Sequence, residues 1–238
     1  MKWITIGDIH GRDNWKSIDI HQYDKVIFMG DYVDGREELD ELRNLEEIIN
    51  LKLKYPDKVV LLIGNHDIQY HWYSSKRLRV YKEKYALDYQ RLFKENEDFF
   101  QLVYYAHEHL WVHAGITTRW IQYMETNGHD FKDLTTENLV ANLNQLLTER
   151  CKDLFSVGKA RGGNDVGGPL WADVSELRAS PAPFHQIVGH NKMIEPTHFD
   201  LELGSLRFAD CLTHCNQFWV YHPNELAWKK EIINIGNK

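Results

Sequence analysis

Three short apolar runs near the start of the chain each end in a glycine that polar residues follow. The runs and their polar segments are Ile4 and Ile6 with Gly7-Asp8, Val26–Met29 with Gly30-Asp31, and Val59–Ile63 with Gly64-Asn65-His66-Asp67. Apolar runs of this kind indicate strands buried on both faces, as in a sheet covered by helices. The pattern therefore predicts an α/β fold that collects polar side chains at the carboxyl ends of its strands.

The segment between the second and third runs has the period of an amphipathic helix. Acidic residues crowd its first turn, Pro56 stops it, and its apolar residues recur at helical spacing: Leu39, Leu42, Leu45, Ile48 and Ile49. We therefore expect a βαβαβ order in the N-terminal half. With 238 residues, the chain is long enough for one large domain, and we expect 1–238 to form a single domain.

A second helical pattern lies between two of the polar motifs. Leu139, Leu143 and Leu147 share one face of this helix, and Thr135 or Thr136 is its expected N-cap. Because the helix separates two motifs, we interpret 117–150 as a helical cap inserted over the site.

Composition and charge exclude several classes of protein. The chain is 43% hydrophobic and 26% charged, which is typical of a folded globular protein. Its longest apolar run is Val59–Ile63, whereas a membrane-spanning helix needs about 20 residues. The formal charge of −7 gives no general attraction for nucleic acid. We therefore expect neither a membrane segment nor general nucleic-acid binding.

The cysteines and the N-terminus predict a cytoplasmic protein. The first residues lack the apolar core and cleavage site of a signal peptide. The three cysteines are sparse and odd in number, so free thiols in a reducing compartment are expected. We interpret Cys211 and Cys215 as buried thiols rather than a metal-binding pair, because no second pair lies nearby.

Histidine is frequent, with 13 residues, and several histidines belong to the polar motifs. Two further strand patterns lead to His113-Ala114-Gly115 and Gly189-His190, which extend the series begun by Asp8-Ile9-His10. Carboxylate, imidazole and amide groups together suit manganese, iron or zinc better than calcium. The sequence therefore predicts a metal site at the strand ends.

In their order from residue 7 to 190, these motifs resemble those of the calcineurin-like metallophosphoesterases, and within them bacterial and phage members of the serine/threonine protein phosphatase (phosphoprotein phosphatase) branch. The resemblance implies a four-layer α/β/β/α sandwich with a dinuclear metal site at the carboxyl ends of its strands. It also implies that His66, paired with Asp34, protonates the leaving group. The implied metal ligands are Asp8 and His10 for the first ion, Asp31 for both ions, and Asn65, His113 and His190 for the second.

Elementary chemistry gives the same picture of the reaction. Asp8 and Asp31 would repel a phosphate, whereas two divalent ions reverse the charge of the site. Two ions about 3.5 to 4 Å apart hold one bridging water, lower its pKa and clamp both oxygens of an in-line displacement. Together with the resemblance, which implies hydrolysis of a phosphomonoester, this chemistry predicts attack by a metal-bridging hydroxide, with Mn²⁺ as the metal and iron, zinc or nickel as alternatives.

Arginines are the expected ligands of the phosphate oxygens, because a guanidinium group binds them in bidentate fashion. Arg36 follows Asp34-Gly35, one residue later than in the eukaryotic phosphatase pattern. Arg161 lies in a glycine-rich loop and resembles the second phosphate-binding arginine of bacterial and phage relatives. Arg12 is the third candidate.

Two departures from the family pattern bear on the substrate. Gly189-His190-Asn191-Lys192 lacks the second histidine of the Gly-His-x-His motif, which favours the protein phosphatase branch over the phosphodiesterases. Asp67 stands where eukaryotic protein phosphatases usually have glutamate. A phosphoprotein, a small phosphoester or a nucleotide is therefore the expected substrate.

Three alternatives remain open from the sequence. The chain could hydrolyse a diadenosine polyphosphate, or act as a phosphodiesterase of the same superfamily. It could also be a metal-free scaffold, although none of the six predicted ligands is lost. The aromatic and basic segment after His66, from Tyr70 to Lys84, is interpreted either as a substrate wall or as a helix with a solvated basic face.

Overall fold

The fold is built from two β-sheets and six α-helices within the residues that the computed structural model describes, 1–36, 40–71, 78–131, 135–163 and 165–233. The helices are α1 (Glu41–Lys54), α2 (Asn65–His71), α3 (Ala86–Glu95), α4 (Thr118–Thr126), α5 (Thr136–Thr148) and α6 (Val174–Ala179). The strands are β1 (Trp3–Ile6), β2 (Lys25–Phe28), β3 (Val59–Leu62), β4 (Phe100–Gln101), β5 (Val103–Ala106), β6 (His109–Val112), β7 (His185–Val188), β8 (Thr197–Leu201), β9 (Gly204–Phe208), β10 (Gln217–His222) and β11 (Ala227–Ile232).

The strands that precede the polar motifs are parallel within each sheet. The six-stranded sheet has the order β11-β10-β1-β2-β3-β4, and β1, β2 and β3 run parallel, with Ile4 opposite Val26 and Ile27 opposite Val60. The five-stranded sheet has the order β5-β6-β7-β9-β8, in which β6, β7 and β9 are parallel. In each sheet the carboxyl ends of three neighbouring strands therefore meet at one edge.

Alternating side chains divide the molecule into four layers. In β1, Ile4 and Ile6 face the helices, whereas Trp3 and Thr5 face the second sheet, whose Trp111 indole donates to the Thr5 hydroxyl oxygen at 3.0 Å. The helix α1 packs on β3, and α5 packs on β5. The predicted four-layer α/β/β/α sandwich is thus confirmed. The cluster between the sheets comprises Trp3, Ile27, Met29, Val60, Leu62, Trp111, Ile187, Ala209, Trp219 and Tyr221.

The connection between β1 and β2 differs from the predicted helix. It contains two short 3₁₀-helices, Asn14–Ser17 and Ile20–Gln22, where the βαβαβ order required an α-helix. Trp15 and Ile18 are buried at a spacing of one turn, with aspartates on either side, so a single turn suffices to bury them. The connection from β2 to β3 holds the predicted helix, which Asp40 caps by accepting a bond from the Arg43 N–H at 3.2 Å.

The segment 117–150 contains α4 and α5 in its described part. Thr135 caps α5, as predicted, and accepts a hydrogen bond from the Asn138 N–H at 3.3 Å. Asn144 of α5 holds the second sheet, because its side-chain oxygen accepts from the Leu102 and Val103 N–H groups at 2.8 and 3.1 Å. That this segment covers the site stays a prediction. No helix in the described residues has the length and apolar character needed to cross a membrane.

His109 gives the fold a pH-dependent stability. Burial lowers its pKa to about 4, and its ring donates to the His107 carbonyl and accepts from the Trp228 indole at 2.9 Å. Since an unfolded histidine titrates near 6.5, the unfolded chain binds more protons between pH 6.5 and 4, and stability falls as the pH falls through that window.

When the pH is lowered from 7 to 5, we expect the free energy of unfolding of the wild type to fall by about 1 kcal/mol more than that of His109→Gln. The difference is no larger because solvent screens the partly exposed ring. Urea unfolding at both pH values measures this difference. His21→Gln, at an exposed histidine, is the matched control and should keep the wild-type slope. Equal slopes in wild type and His109→Gln would contradict the assignment.

Candidate metal centre

The two sheets bring the predicted ligands together at their carboxyl edges. In the first sheet Asp8 follows β1, Asp31 follows β2, and Asn65 opens α2 directly after β3. In the second sheet His113 follows β6 and His190 follows β7. All of these side chains are buried. They converge because each side chain follows a parallel strand and the two sheets are stacked with these edges together.

Asp31 lies at the centre of the site, between two histidines. Its Oδ2 is 3.6 Å from His10 Nε2, and its Oδ1 is 3.5 Å from His113 Nε2. Two sets of side chains have ligand atoms that all lie within 4.8 Å of one another, and both sets contain Asp31. One carboxylate facing two ligand groups is the arrangement that a bridging ligand requires. The two sets are His10, Asp31 and His66, and Asp31, His113 and His190.

Backbone carbonyls orient two of the histidine rings. His10 Nδ1 is 2.8 Å from the Val33 carbonyl, and His113 Nδ1 is 2.8 Å from the Met29 carbonyl. A carbonyl can only accept a hydrogen bond, so Nδ1 carries the proton in both rings. The lone pair of each neutral ring therefore lies on Nε2 and points toward Asp31.

Atoms with free lone pairs lie close together at the centre of the site. His113 Nε2 lies 3.0 Å from Asn65 Oδ1 and 3.5 Å from Asp31 Oδ1. Burial lowers the pKa of His113 to about 3, so this ring is neutral at physiological pH. His190 Nε2 is buried without a hydrogen-bond partner. A cation would satisfy all of these atoms, and the residues therefore fit a divalent metal.

The electrostatics of the buried carboxylates also favour a bound cation. Burial, and secondly Asp210, raises the pKa of Asp8, and burial, and secondly Asp8, raises the pKa of Asp31. Both shifts reflect the cost of burying negative charges close together. A divalent ion reverses this cost, because it favours the ionised form of each carboxylate. Asp8 lies outside both ligand sets, and its oxygens accept the His190 N–H at 3.0 and 3.1 Å.

Of the eight non-glycine residues with a positive φ in the described part of the chain, four lie at the site. His10, Asp31, Asp34 and His190 adopt positive φ angles of 44°, 52°, 63° and 59°. The left-handed region costs a residue with a Cβ roughly 1–3 kcal/mol, and such strain persists where the surrounding structure fixes it. The turns after the strands therefore hold these side chains in positions that a relaxed backbone would not give.

Glycine is required where the chain passes closest to the carboxylates. A Cβ at Gly64 would collide with the Asp31 carboxylate, and one at Gly189 would collide with the Asp8 carboxylate. The glycines before Asn65 and His190 thus let the backbone approach the acidic side chains themselves.

Asp34 and His66 form the predicted pair beside the ligand groups. His66 Nδ1 is 3.2 Å from Asp34 Oδ2, and the His66 backbone N–H donates to Asp31 Oδ1 at 2.9 Å. The Tyr70 hydroxyl donates to Asp34 Oδ1 at 2.7 Å, and the Gln69 amide donates to Asp34 Oδ2. Asp34 is therefore fixed by three side chains, while His66 lies at the edge of the cavity.

Two buried carboxylates, Asp67 and Glu41, support the backbone of the site. Asp67 accepts hydrogen bonds from the backbone N–H groups of Asp31 and Tyr32, both at 2.7 Å. Glu41 accepts from the N–H groups of Asp34 and Gly35, at 3.0 and 2.7 Å. Asp67 could be suspected from its place in the Gly-Asn-His-Asp motif. Glu41 gave no signal, because an acidic residue in the first turn of a helix is normally solvated.

A cavity of about 430 Å³ opens over the ligand groups and contains the predicted phosphate-binding arginines Arg12, Arg36 and Arg161 in its wall. Arg161 is held in place, because its Nε lies 2.9 Å from Asp173 Oδ2 and its guanidinium donates to Asn191 Oδ1 at 2.7 Å. The same wall contains Trp171 and Lys192, which the sequence did not indicate, and Arg79 of the segment interpreted as a substrate wall. The segment 72–77, on which the substrate-wall interpretation partly falls, lies outside the described residues.

Solved structures with a similar fold include phosphatases. A cold-active protein-tyrosine phosphatase from the psychrophile Shewanella sp. superposes with a TM-score of 0.60 at 16% identity, covering 98% of this chain and 80% of that one. A protein serine/threonine phosphatase from Saccharomyces cerevisiae gives a TM-score of 0.57 at 14% identity, covering 100% and 81%. At these identities the likeness shows a shared fold. No curated protein matches this chain in sequence.

The family profile adds the chemistry. The profile described as calcineurin-like phosphoesterase matches residues 1–213, a stretch that contains every predicted ligand. Members of this family hydrolyse phosphoesters with the help of divalent metal ions. The profile spans most of this chain, and two candidate ligand groups share Asp31 at the strand ends. This chain therefore belongs to the calcineurin-like phosphoesterase family.

Proposed function

We propose that the protein is a cytoplasmic phosphomonoesterase of the serine/threonine protein phosphatase type, folded as a single domain over residues 1–238 and dependent on two Mn²⁺ ions. The observation that carries the proposal is the position of Asp31 between two histidine-containing ligand groups, with His66 and Asp34 beside it. This arrangement offers sites for two cations and a proton donor within one cavity.

The proposed metal ligands divide about Asp31. Asp8 and His10 would bind the first ion, Asp31 would bind both, and the second ion would be bound by Asn65, His113 and His190. When bound, the ions would neutralise the carboxylates, attract the phosphate and activate water for attack on phosphorus. The chain itself fixes the ligands before the ions arrive, through the carbonyl bonds to the rings and the strained turns.

The remaining residues would act on the substrate. Arg161 already has its guanidinium oriented by Asp173 and Asn191, so little side-chain entropy is lost when it binds phosphate oxygens. Arg12 and Arg36 contribute further positive charge to the same cavity. His66 would give a proton to the leaving oxygen, with Asp34 holding its other ring nitrogen.

Lys192 supports a monoester over a diester. It occupies the position of the second histidine in Gly-His-x-His and lies in the cavity wall. An ammonium group has donors and no lone pair, so it cannot ligate a metal while charged. It can, however, bind the additional negative charge that distinguishes a phosphate monoester from a diester.

The test compares p-nitrophenyl phosphate with bis-p-nitrophenyl phosphate, on protein stripped with a chelator and then supplied with Mn²⁺. We expect turnover of the monoester to depend on the metal and to exceed that of the diester at least about tenfold. Phosphoserine and phosphothreonine peptides would then be tested. Preference for the diester would favour the phosphodiesterase or diadenosine polyphosphate alternative, and failure to bind metal would favour the scaffold.

A further inference from the structure

A third group of metal-ligand side chains lies away from Asp31. It consists of His129, which follows the end of α4, and Cys151 and Asp153, which follow the end of α5. All three side chains are partly buried, and their ligand atoms lie within 4.8 Å of one another. Neither of the two groups at Asp31 contains a cysteine. This third group, the His129 cluster, is therefore chemically distinct from the candidate metal centre.

The separations within the His129 cluster lie within a few tenths of an ångström of those in a tetrahedral zinc site. His129 Nε2 lies 3.0 Å from Asp153 Oδ2 and 3.6 Å from Cys151 Sγ, and the sulfur lies 3.9 Å from the same carboxylate oxygen. With Zn–S bonds of about 2.3 Å and Zn–N and Zn–O bonds of about 2.0 to 2.2 Å, the edges of a tetrahedron come to roughly 3.3 to 3.6 Å. The nitrogen–sulfur separation already fits, and shifts of about 0.3 Å, a widening between nitrogen and oxygen and a contraction between sulfur and oxygen, would bring the other two into this range.

The surroundings of the cluster also suit an ion. The Tyr123 hydroxyl lies 3.4 Å from Asp153 Oδ1 and orients the carboxylate so that Oδ2 faces the ring. His129 borders a depression of about 160 Å³, from which water can supply a fourth ligand. One thiolate, one carboxylate and a neutral imidazole would balance the charge of a zinc ion.

We propose that His129, Cys151 and Asp153 form a structural site for a zinc-type divalent ion, which ties the turn after α4 to the turn after α5. The ion would close the 129–153 segment into a loop, and would thereby stabilise the helical segment on the outer face of the second sheet.

Cobalt tests the site without any assay of activity. The full chain, stripped with a chelator, is titrated with Co²⁺, because a thiolate ligand gives a charge-transfer band in the near ultraviolet. We expect the band in the wild type and in Cys215→Ser, but not in Cys151→Ser. His129→Gln, at a ring that solvent reaches, should weaken cobalt binding at least about tenfold. Asp31→Asn should keep the band, so failure of the proposed catalytic site would leave this result intact.

A second measurement guards against a folding defect in Cys151→Ser. Zinc content is measured in the wild type and in His129→Gln, both shown to be folded by circular dichroism, and the variant should hold about one equivalent less zinc. The proposal is overturned if the wild type shows no thiolate band. It is equally overturned if the band survives in Cys151→Ser, or if His129→Gln binds cobalt and zinc as the wild type does.

Discussion

Asp31→Asn is expected to remove metal-dependent hydrolysis, lowering turnover by roughly three orders of magnitude or more, about 4 kcal/mol of transition-state stabilisation. Asp31 presents one oxygen to His10 and the other to His113, so it is the shared member of both ligand groups. Asparagine removes the negative charge and replaces one oxygen with an amide nitrogen that has no lone pair for a metal. One proposed ion therefore loses its ligand from this residue, and the other keeps only a neutral amide oxygen.

The substitution is conservative for the backbone. Asp31 has a φ of 52°, and asparagine tolerates this region about as well as aspartate does. Metal content after dialysis and turnover of p-nitrophenyl phosphate measure the effect. Asp88→Asn, at an exposed position on α3, is the matched control and should bind metal and turn over substrate as the wild type does. Full metal content and activity in Asp31→Asn would contradict the two-metal proposal.

The positions of the candidate ligands could be predicted from the sequence because they depend on short-range pattern. An apolar run marks a buried strand, and the residues after it necessarily lie at the strand end. Parallel neighbours then bring Asp8, Asp31 and Asn65 to one edge. The same reasoning applies to His113 and His190 in the second sheet.

Glu41, which holds the loop at Asp34, could not be predicted from a sequence pattern. Glu41 lies on α1, and it is 2% exposed because it accepts bonds from the loop at Asp34 and from the Tyr89 hydroxyl at 2.9 Å. Neither partner is near it in helical spacing, so only the packed structure shows the contact. The His129 cluster could not be predicted for the same reason, because its members follow the ends of two different helices and meet only in the packed structure.

The predicted α-helix between β1 and β2 was wrong for a different reason. A parallel pair of strands usually has a helical crossover, and this expectation placed an α-helix where two 3₁₀-helices stand. Between residues 12 and 22 the buried side chains are Trp15 and Ile18, and one turn buries them both. The local distribution of apolar residues therefore decided the structure against the general topological rule.

His66→Asn should lower kcat by about 10²- to 10⁴-fold for a phosphoserine peptide, and far less for p-nitrophenyl phosphate. A serine alkoxide needs a proton as it departs, whereas p-nitrophenolate is stable without one. Asp34 Oδ2 holds Nδ1 of His66 at 3.2 Å, which leaves the other ring nitrogen free to deliver that proton into the cavity. Steady-state kinetics on both substrates give the ratio of the two losses.

The same variant separates the acid role from metal binding. His66 belongs to one of the two ligand groups at Asp31, together with His10, so its loss could act by releasing an ion. If His66 is the acid, His66→Asn keeps two metal equivalents and its defect grows with the basicity of the leaving group. His198→Asn, at a histidine outside the cavity, should leave both rates unchanged. Equal losses on the two substrates, with metal content reduced, would make His66 a ligand, and the proton would then have to come from another group.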